Sequence, residues 1–154
     1  RYHGHDNRSA PQRLGLGLVC ANAAAALQNL AVIADNKVSI AREGAVGPLI
    51  ALLKNGSDEG KTNAAAALQN LACNDDNQVS IAREGAIGPL IALLKNGSDE
   101  GKTNAAAALR NLTFNAESKA KVKESLSSIK EAYKATTSGS TAKSDMKRLL
   151  DRLA

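Results

Sequence analysis

Tryptophan is absent from this 154-residue chain, and one phenylalanine and two tyrosines make up its aromatic content. So little aromatic surface disfavours nucleic-acid binding by base stacking and points to a core of small aliphatic side chains. Cysteine is nearly absent too: Cys20 and Cys73 have no partners at zinc-site spacing, and each lies in or beside an alanine-rich run, where a thiol reads as a small buried hydrophobe. The only histidines, His3 and His5, stand beside Asp6 in a polar leader that offers adventitious metal contact but no scaffold for catalysis. No catalytic residue, metal site or cofactor is therefore expected.

Charge of one sign is also missing where it would matter. The net charge is +5, but residues 21–116 carry eight basic and nine acidic side chains, and the excess sits in residues 117–154, with nine basic and five acidic. A basic tail without an unbroken basic stripe reads as a solvated helix face, so nucleic acid is disfavoured as a partner. Residues 14–34 contain no charge at all, which raises a membrane span or secretory signal. The run from Asn22 is a near copy of the one from Asn63, however, and Asn22, Gln28 and Asn29 would be costly in lipid. The expected protein is cytoplasmic, with the nucleus also open to it, and has no membrane span; the residues leave open whether the chain is a fragment of a longer array.

What the chain does contain is repetition. The stretch Gly56-Ser-Asp-Glu-Gly-Lys-Thr62 resembles a phosphate-binding loop but has one residue too few between its glycines, and it carries two carboxylates that would repel a triphosphate. It also returns unchanged one period later, within a copy of Lys54–Leu68 that runs from Lys95 to Leu109. The period is 41: Asn22, Asn63 and Asn104 open three copies of Asn-Ala-Ala-Ala-Ala-Leu, and residues 44–72 and 85–113 differ only at Val46/Ile87, Gln69/Arg110 and Ala72/Thr113. Self-similarity at this spacing is the signature of a solenoid.

One period reads as three helices. Asp76 and Asn77 are expected to cap a short first helix that Gly85 stops, Pro89 falls in the first turn of a second helix that Asn96-Gly97 ends, and Ser98 caps a longer third helix. Asp99 and Glu100 sit at its positive end, and the alanines behind them let neighbouring helices approach closely. Past Glu124 the copies diverge. Val122 falls one period after Ile81, and Leu150 and Leu153 one period after Leu109 and Leu112, but glycine and proline are missing between them. Residues 121–134 are therefore expected to form one fused helix before a turn at 137–141 and a last helix ending at Leu153.

The run GAIGPLIALLKNGSDEGKTNAAAALRNL resembles an armadillo repeat, with Gly-Ala before the second helix, a proline, and Ala-Leu-x-Asn-Leu in the third. It is most similar in style to the armadillo arrays of plant-type U-box ubiquitin ligases and vacuolar armadillo proteins, although no U-box is present. The resemblance implies an all-α, right-handed superhelical solenoid with three helices per repeat and a divergent C-terminal helical cap. The corresponding organisation is an irregular leader over 1–17, then an armadillo domain over 18–154, divided into a partial repeat 18–43, repeats 44–84 and 85–125, and a cap 126–154. It also implies a non-catalytic scaffold that binds a protein or extended peptide on the concave surface. The alternative is the substrate-recognition region of a larger ubiquitin ligase.

Helical spacing places Glu59, Thr62, Asn63, Ala66, Gln69, Asn70 and Cys73 on one stripe, and Glu100, Thr103, Asn104, Ala107, Arg110, Asn111 and Phe114 on the next. In armadillo proteins such as importin-α the third-helix Asn pairs with peptide backbone, and Asn29, Asn70 and Asn111 match it; a Trp one turn earlier forms slots for basic side chains, and here those positions are Ala25, Ala66 and Ala107. The candidate contact residues are Asn29, Glu59, Asn63, Gln69, Asn70, Glu100, Asn104, Arg110, Asn111 and Phe114. An amide with two donors and an acceptor could equally tie adjacent helices together, and the residues alone leave both readings open. Finally, the first helix, around 18–31, has no second helix of repeat type before it, so an uncovered N-terminal edge is expected, closed by an upstream repeat or by homo-oligomerisation.

Overall fold

The computed structural model describes the backbone of residues 10–154 and side chains from Cys20 onward. Ten helices follow one another: α1 (Ala10–Leu30), α2 (Ala34–Arg42), α3 (Val46–Asn55), α4 (Asp58–Leu71), α5 (Asp75–Arg83), α6 (Ile87–Asn96), α7 (Asp99–Leu112), α8 (Ala116–Glu124), α9 (Leu126–Ala135) and α10 (Thr141–Leu153). No strand occurs among the described residues. The period expected from sequence is present as three successive triplets, α2–α4, α5–α7 and α8–α10, with α1 as a lone third helix ahead of them. The expected partition cuts the same period at a different phase.

Local chemistry sets most boundaries. Ser57 and Ser98 each accept a 3.1 Å bond from the backbone N–H three residues on, at Gly60 and Gly101, so the phosphate-loop look-alike is the capped turn between second and third helices. The Thr62 hydroxyl donates to Asp58 O at 2.8 Å. Gly85, at φ +92°, ends α5 with paired bonds from Gly85 N to Ala82 O and from Ala86 N to Ile81 O; this closes the orphan carbonyls of the last turn in a conformation that a side chain would oppose.

Four expectations need correction. The cap of α5 is Asn74, which accepts from Asn77 N, not Asp76 or Asn77; those two residues lie inside the helix, and the Asn77 amide is used elsewhere. The fused helix is two helices, because the missing glycine turn contracts to the single residue Ser125 (φ −96°, ψ 15°), where α8, packed on α5 and α7, gives way to α9, packed on α6 and α10. Helix α1 starts at Ala10, with Pro11 suited to a first turn, so residues 10–17 of the leader expected to be irregular are helical. Residues 1–9, with His3, His5 and Asp6, lie outside the described residues. Cys73, in the turn after α4, is exposed, and Cys20, inside α1, is half-buried, so neither is the fully buried small side chain expected.

Third helices pack side by side, α1 on α4, α4 on α7 and α7 on α10, and second helices back them on one side. The alanine runs 64–67 and 105–108 are buried, as are Leu68, Leu71, Leu109 and Leu112. Methyl side chains bring the helix backbones close, and the leucines supply apolar burial of roughly 1.5–3 kcal/mol each. The last triplet continues this core with Val122, Ile129, Met146, Leu149 and Leu153.

Candidate interaction surface

The close approach of α4 and α7 changes the expected stripes. Glu59 and Cys73 are exposed and Asn63, Gln69 and Asn70 half-buried, but Thr62 and Ala66 are buried; on α7, Glu100 and Phe114 are exposed, Asn104 and Arg110 half-buried, and Ala107 and Asn111 buried. A stripe drawn on an isolated helix overlooks the neighbour that alanine admits. Asn29, on the open first helix, is exposed.

The asparagines are bonded to backbone across each junction. Asn70 Nδ2 donates to Gln28 O at 2.9 Å, and Asn111 Nδ2 to Gln69 O at 3.0 Å. One turn or more earlier, Asn63 Nδ2 reaches Ala21 O at 3.2 Å and Asn104 Nδ2 reaches Thr62 O at 3.3 Å. The acceptors at Gln28 and Gln69 are helix-end carbonyls: Val32 N turns instead to Asn29 O, and Cys73 N to Asn70 O, so neither carbonyl receives its i+4 donor. Each asparagine thus caps the preceding third helix from the side. First helices carry a parallel set, Asn77 Nδ2 to Lys37 O at 3.0 Å and the buried Ser118 hydroxyl to Gln78 O at 3.3 Å. Asn77 also donates to Leu71 O, and Gln78 to Ala72 O.

At the α7–α10 junction the pattern changes. Position 152, one period after Asn111, is arginine; its Nε donates to Thr113 Oγ1 at 2.8 Å, and Thr113 Oγ1 donates in turn to Arg110 O at 2.6 Å, supplying the helix-end carbonyl by relay. Arg110 Nη1 lies 3.7 Å from Asp145 Oδ1, which Arg148 also approaches at 3.3 Å. The Arg152 guanidinium covers the exposed Phe114 ring at 3.9 Å. Both polar differences between the two near-identical copies, Gln69/Arg110 and Ala72/Thr113, therefore fall where the second copy meets α10. Elsewhere Arg83 pairs with Glu117 across α5 and α8 at 3.1 Å. That hydrogen bond, and then the guanidinium charge, hold the Glu117 carboxyl below its usual range.

Sequence reasoning did not single out Gln78, Asp145 or Arg152, and it named Asn77 only as a helix cap and Thr113 only as a difference between copies. Asn36 and Asn77 recur at the period, and the two copy differences were visible, but neither signal tells what a residue bonds.

With this geometry in place, the family follows from comparison: the Armadillo/beta-catenin-like repeat matches residues 34–73 and 74–114. The chain belongs to the armadillo-repeat family. Similar solved structures include a designed armadillo repeat protein at 28% identity and a TM-score of 0.79, covering 97% of this chain and 61% of that one. A computationally designed armadillo repeat protein for modular peptide recognition matches at 30% identity and a TM-score of 0.80, covering 88% and 58%. A third designed armadillo protein, in complex with peptide (KR)4, matches at 25% and 0.80, covering 97% and 61%. The chain thus spans about three fifths of each neighbour's length. No curated protein sequence matches this armadillo chain significantly. Among its described residues no helix is long and apolar enough to cross a membrane.

Proposed function

We propose that this armadillo chain is a non-catalytic interaction scaffold that holds an extended peptide along its third helices, at Asn29, Glu59, Asn63, Gln69, Asn70, Glu100, Asn104, Arg110, Asn111 and Phe114. The supporting observation is the tie geometry. One N–H of each asparagine at 63, 70, 104 and 111 is held by the neighbouring helix, which fixes the amide's orientation and leaves its Oδ1 as an acceptor at one-repeat spacing. Helices packed about 8–10 Å apart, beside a chain rising about 3.3 Å per residue, put one rung opposite every second or third peptide residue.

Such rungs do not suffice. At about 0.5–1.5 kcal/mol each they fall short of the roughly 1–2 kcal/mol needed to order each peptide residue. Side chains must add the rest, and the exposed Glu59 and Glu100 favour a basic segment, the kind that one structural neighbour binds. Alanine at positions 25, 66 and 107 provides no aromatic slot, so binding is weak.

A labelled (KR)4 peptide titrated at low salt tests this by fluorescence anisotropy. The expected outcome is binding with a dissociation constant between about 1 µM and 1 mM, lost on Glu59→Lys/Glu100→Lys and on adding salt. A flat titration up to millimolar protein, or binding indifferent to the charge reversal, removes the third-helix face as the site.

A further inference from the structure

Second helices stack twice in this protein, α3 on α6 and α6 on α9, and the two junctions can be laid over one another. On the α3 side Lys54, Asp58 and Lys61 become Lys95, Asp99 and Lys102 one period later. On the other side the helix ends fix the register: Gly97 N donates to Leu93 O as Thr136 N donates to Ala132 O, so Ala92 of α6 corresponds to Glu131 of α9. The residues that meet across the two junctions therefore differ. At α6–α9, Lys95 Nζ lies 3.6 Å from Glu131 Oε2. At α3–α6 the lysine is retained, but an alanine stands opposite.

A crevice of about 280 Å³ is left there. Its walls come from helices in the middle of the chain: α3 and α4 contribute Lys54 and Lys61, α6 contributes Pro89, Ala92 and Asn96, and the buried Leu53 and Leu93 also line it. The charges of this lining do not balance. Two lysines share it with one carboxylate, Asp58, whereas the corresponding set at the next junction holds two lysines and two carboxylates. Among the described residues neither Lys54 nor Lys61 forms an ion pair. The first junction thus differs from the second by one missing carboxylate. The space is also smaller than the roughly 300–1,000 Å³ of a small-molecule site, and suits one or two side chains instead.

We propose that the α3–α6 crevice docks a partner segment bearing one glutamate or aspartate beside an apolar residue. Lys54 takes the carboxylate as Lys95 takes Glu131, the Asn96 amide is at hand for its second oxygen, and the apolar neighbour lies on Pro89 and Ala92. This site belongs to the second helices, not to the third-helix face, and it selects the opposite charge. An exposed lysine holds a carboxylate weakly and salt screens the pair, so binding is weak and salt-sensitive.

The probe is a blocked peptide, Ala-Leu-Glu-Leu-Ala, with its glutamine twin as the neutral control, each titrated into the protein at low salt and followed by amide chemical shifts. The amides of Lys54, Asp58 and Ala92 are expected to move on one saturation curve, and the glutamine peptide to bind about two- to fivefold more weakly, the range of an exposed ion pair. Ala92→Glu supplies from the chain itself the carboxylate that Glu131 supplies one junction on, and should abolish binding. Since Ala92 is exposed and its counterpart is already glutamate, the helical signal should not change. Lys54→Gln should weaken the acidic peptide about two- to fivefold and reads the same contact if the first variant melts early; Lys95→Gln, at the filled junction, should leave it unaffected. No shift up to about 10 mM peptide overturns the proposal, as do equal binding of the two peptides and an Ala92→Glu variant that binds like the parent. Shifts that gather on the lysines of α8 to α10 instead of on α3 and α6 show attraction to net charge alone, and overturn it too.

Discussion

Asn70 and Asn111 each hold a carbonyl at the end of the preceding third helix, and deleting the amide removes that bond, leaving Gln69 O with only the weak Cys73 thiol donor at 3.6 Å. At about 0.5–1.5 kcal/mol per bond, Asn70→Ala/Asn111→Ala should cost about 1–3 kcal/mol. For a chain of this size that lowers the melting temperature by about 2–12 °C. Asn29→Ala, at an exposed side chain, should leave it within error, and circular dichroism melts of the two variants check both statements. A double variant that melts like the parent shows that water replaces the ties without loss. Serine caps were legible from sequence because donor and acceptor lie three residues apart and any side-chain oxygen there has the same task. The ties were not: their acceptors are main-chain carbonyls a full repeat away, which carry no residue identity, so a recurring asparagine announces use without disclosing it.

A glycine that ends a helix and one inside it have different tasks, and paired substitutions separate them. A Cβ on Gly97 would stand 2.6 Å from Leu93 O, a backbone atom that cannot yield without unwinding the last turn of α6, whereas a Cβ on Gly88, inside the same helix, meets nothing within 4 Å. Gly97→Ala should therefore destabilise by about 1–3 kcal/mol, in the range of overpacked sites, and Gly88→Ala should stabilise by about 0.4–1 kcal/mol through lost freedom in the unfolded chain. Urea midpoints at constant slope read both, and equal shifts of the same sign would refute the distinction. Glycine, proline and serine placed α3 through α7 to within a residue or two in the sequence because each imposes a local conformation. Where those residues run out, at Ser125, the boundary is set by tertiary packing: α8 and α9 lie on different neighbours, and no residue at the junction records that. The start of α1 was missed for the opposite reason: Pro11, Gly15 and Gly17 read as breakers in the sequence, although a first turn accepts the proline and the helix runs through both glycines.

At the scale of the molecule, the fold was readable because the period is, and the candidate surface was only half readable because exposure depends on what is stacked alongside. Near-identity of the copies also creates a hazard. The terminal triplet, docked on α4 instead of α7, would find the same alanines and leucines but meet Gln69 and Ala72 in place of Arg110 and Thr113. It would lose the ion pair to Asp145 and the Arg152 relay, so these bonds discriminate between two assemblies that apolar contact scarcely separates. Misassembly of this kind is the characteristic failure of repeat chains. Arg110→Gln/Thr113→Ala, which makes the third helices alike, is expected to cost about 1–3 kcal/mol at equilibrium for the two hydrogen bonds lost and to add a slow phase to stopped-flow refolding; a single unchanged exponential would show that the junction has no part in pairing. Since the distinguishing residues lie only in the copy that meets α10, a further unit inserted ahead of α5 would lengthen the protein and leave intact the one junction that tells the two copies apart.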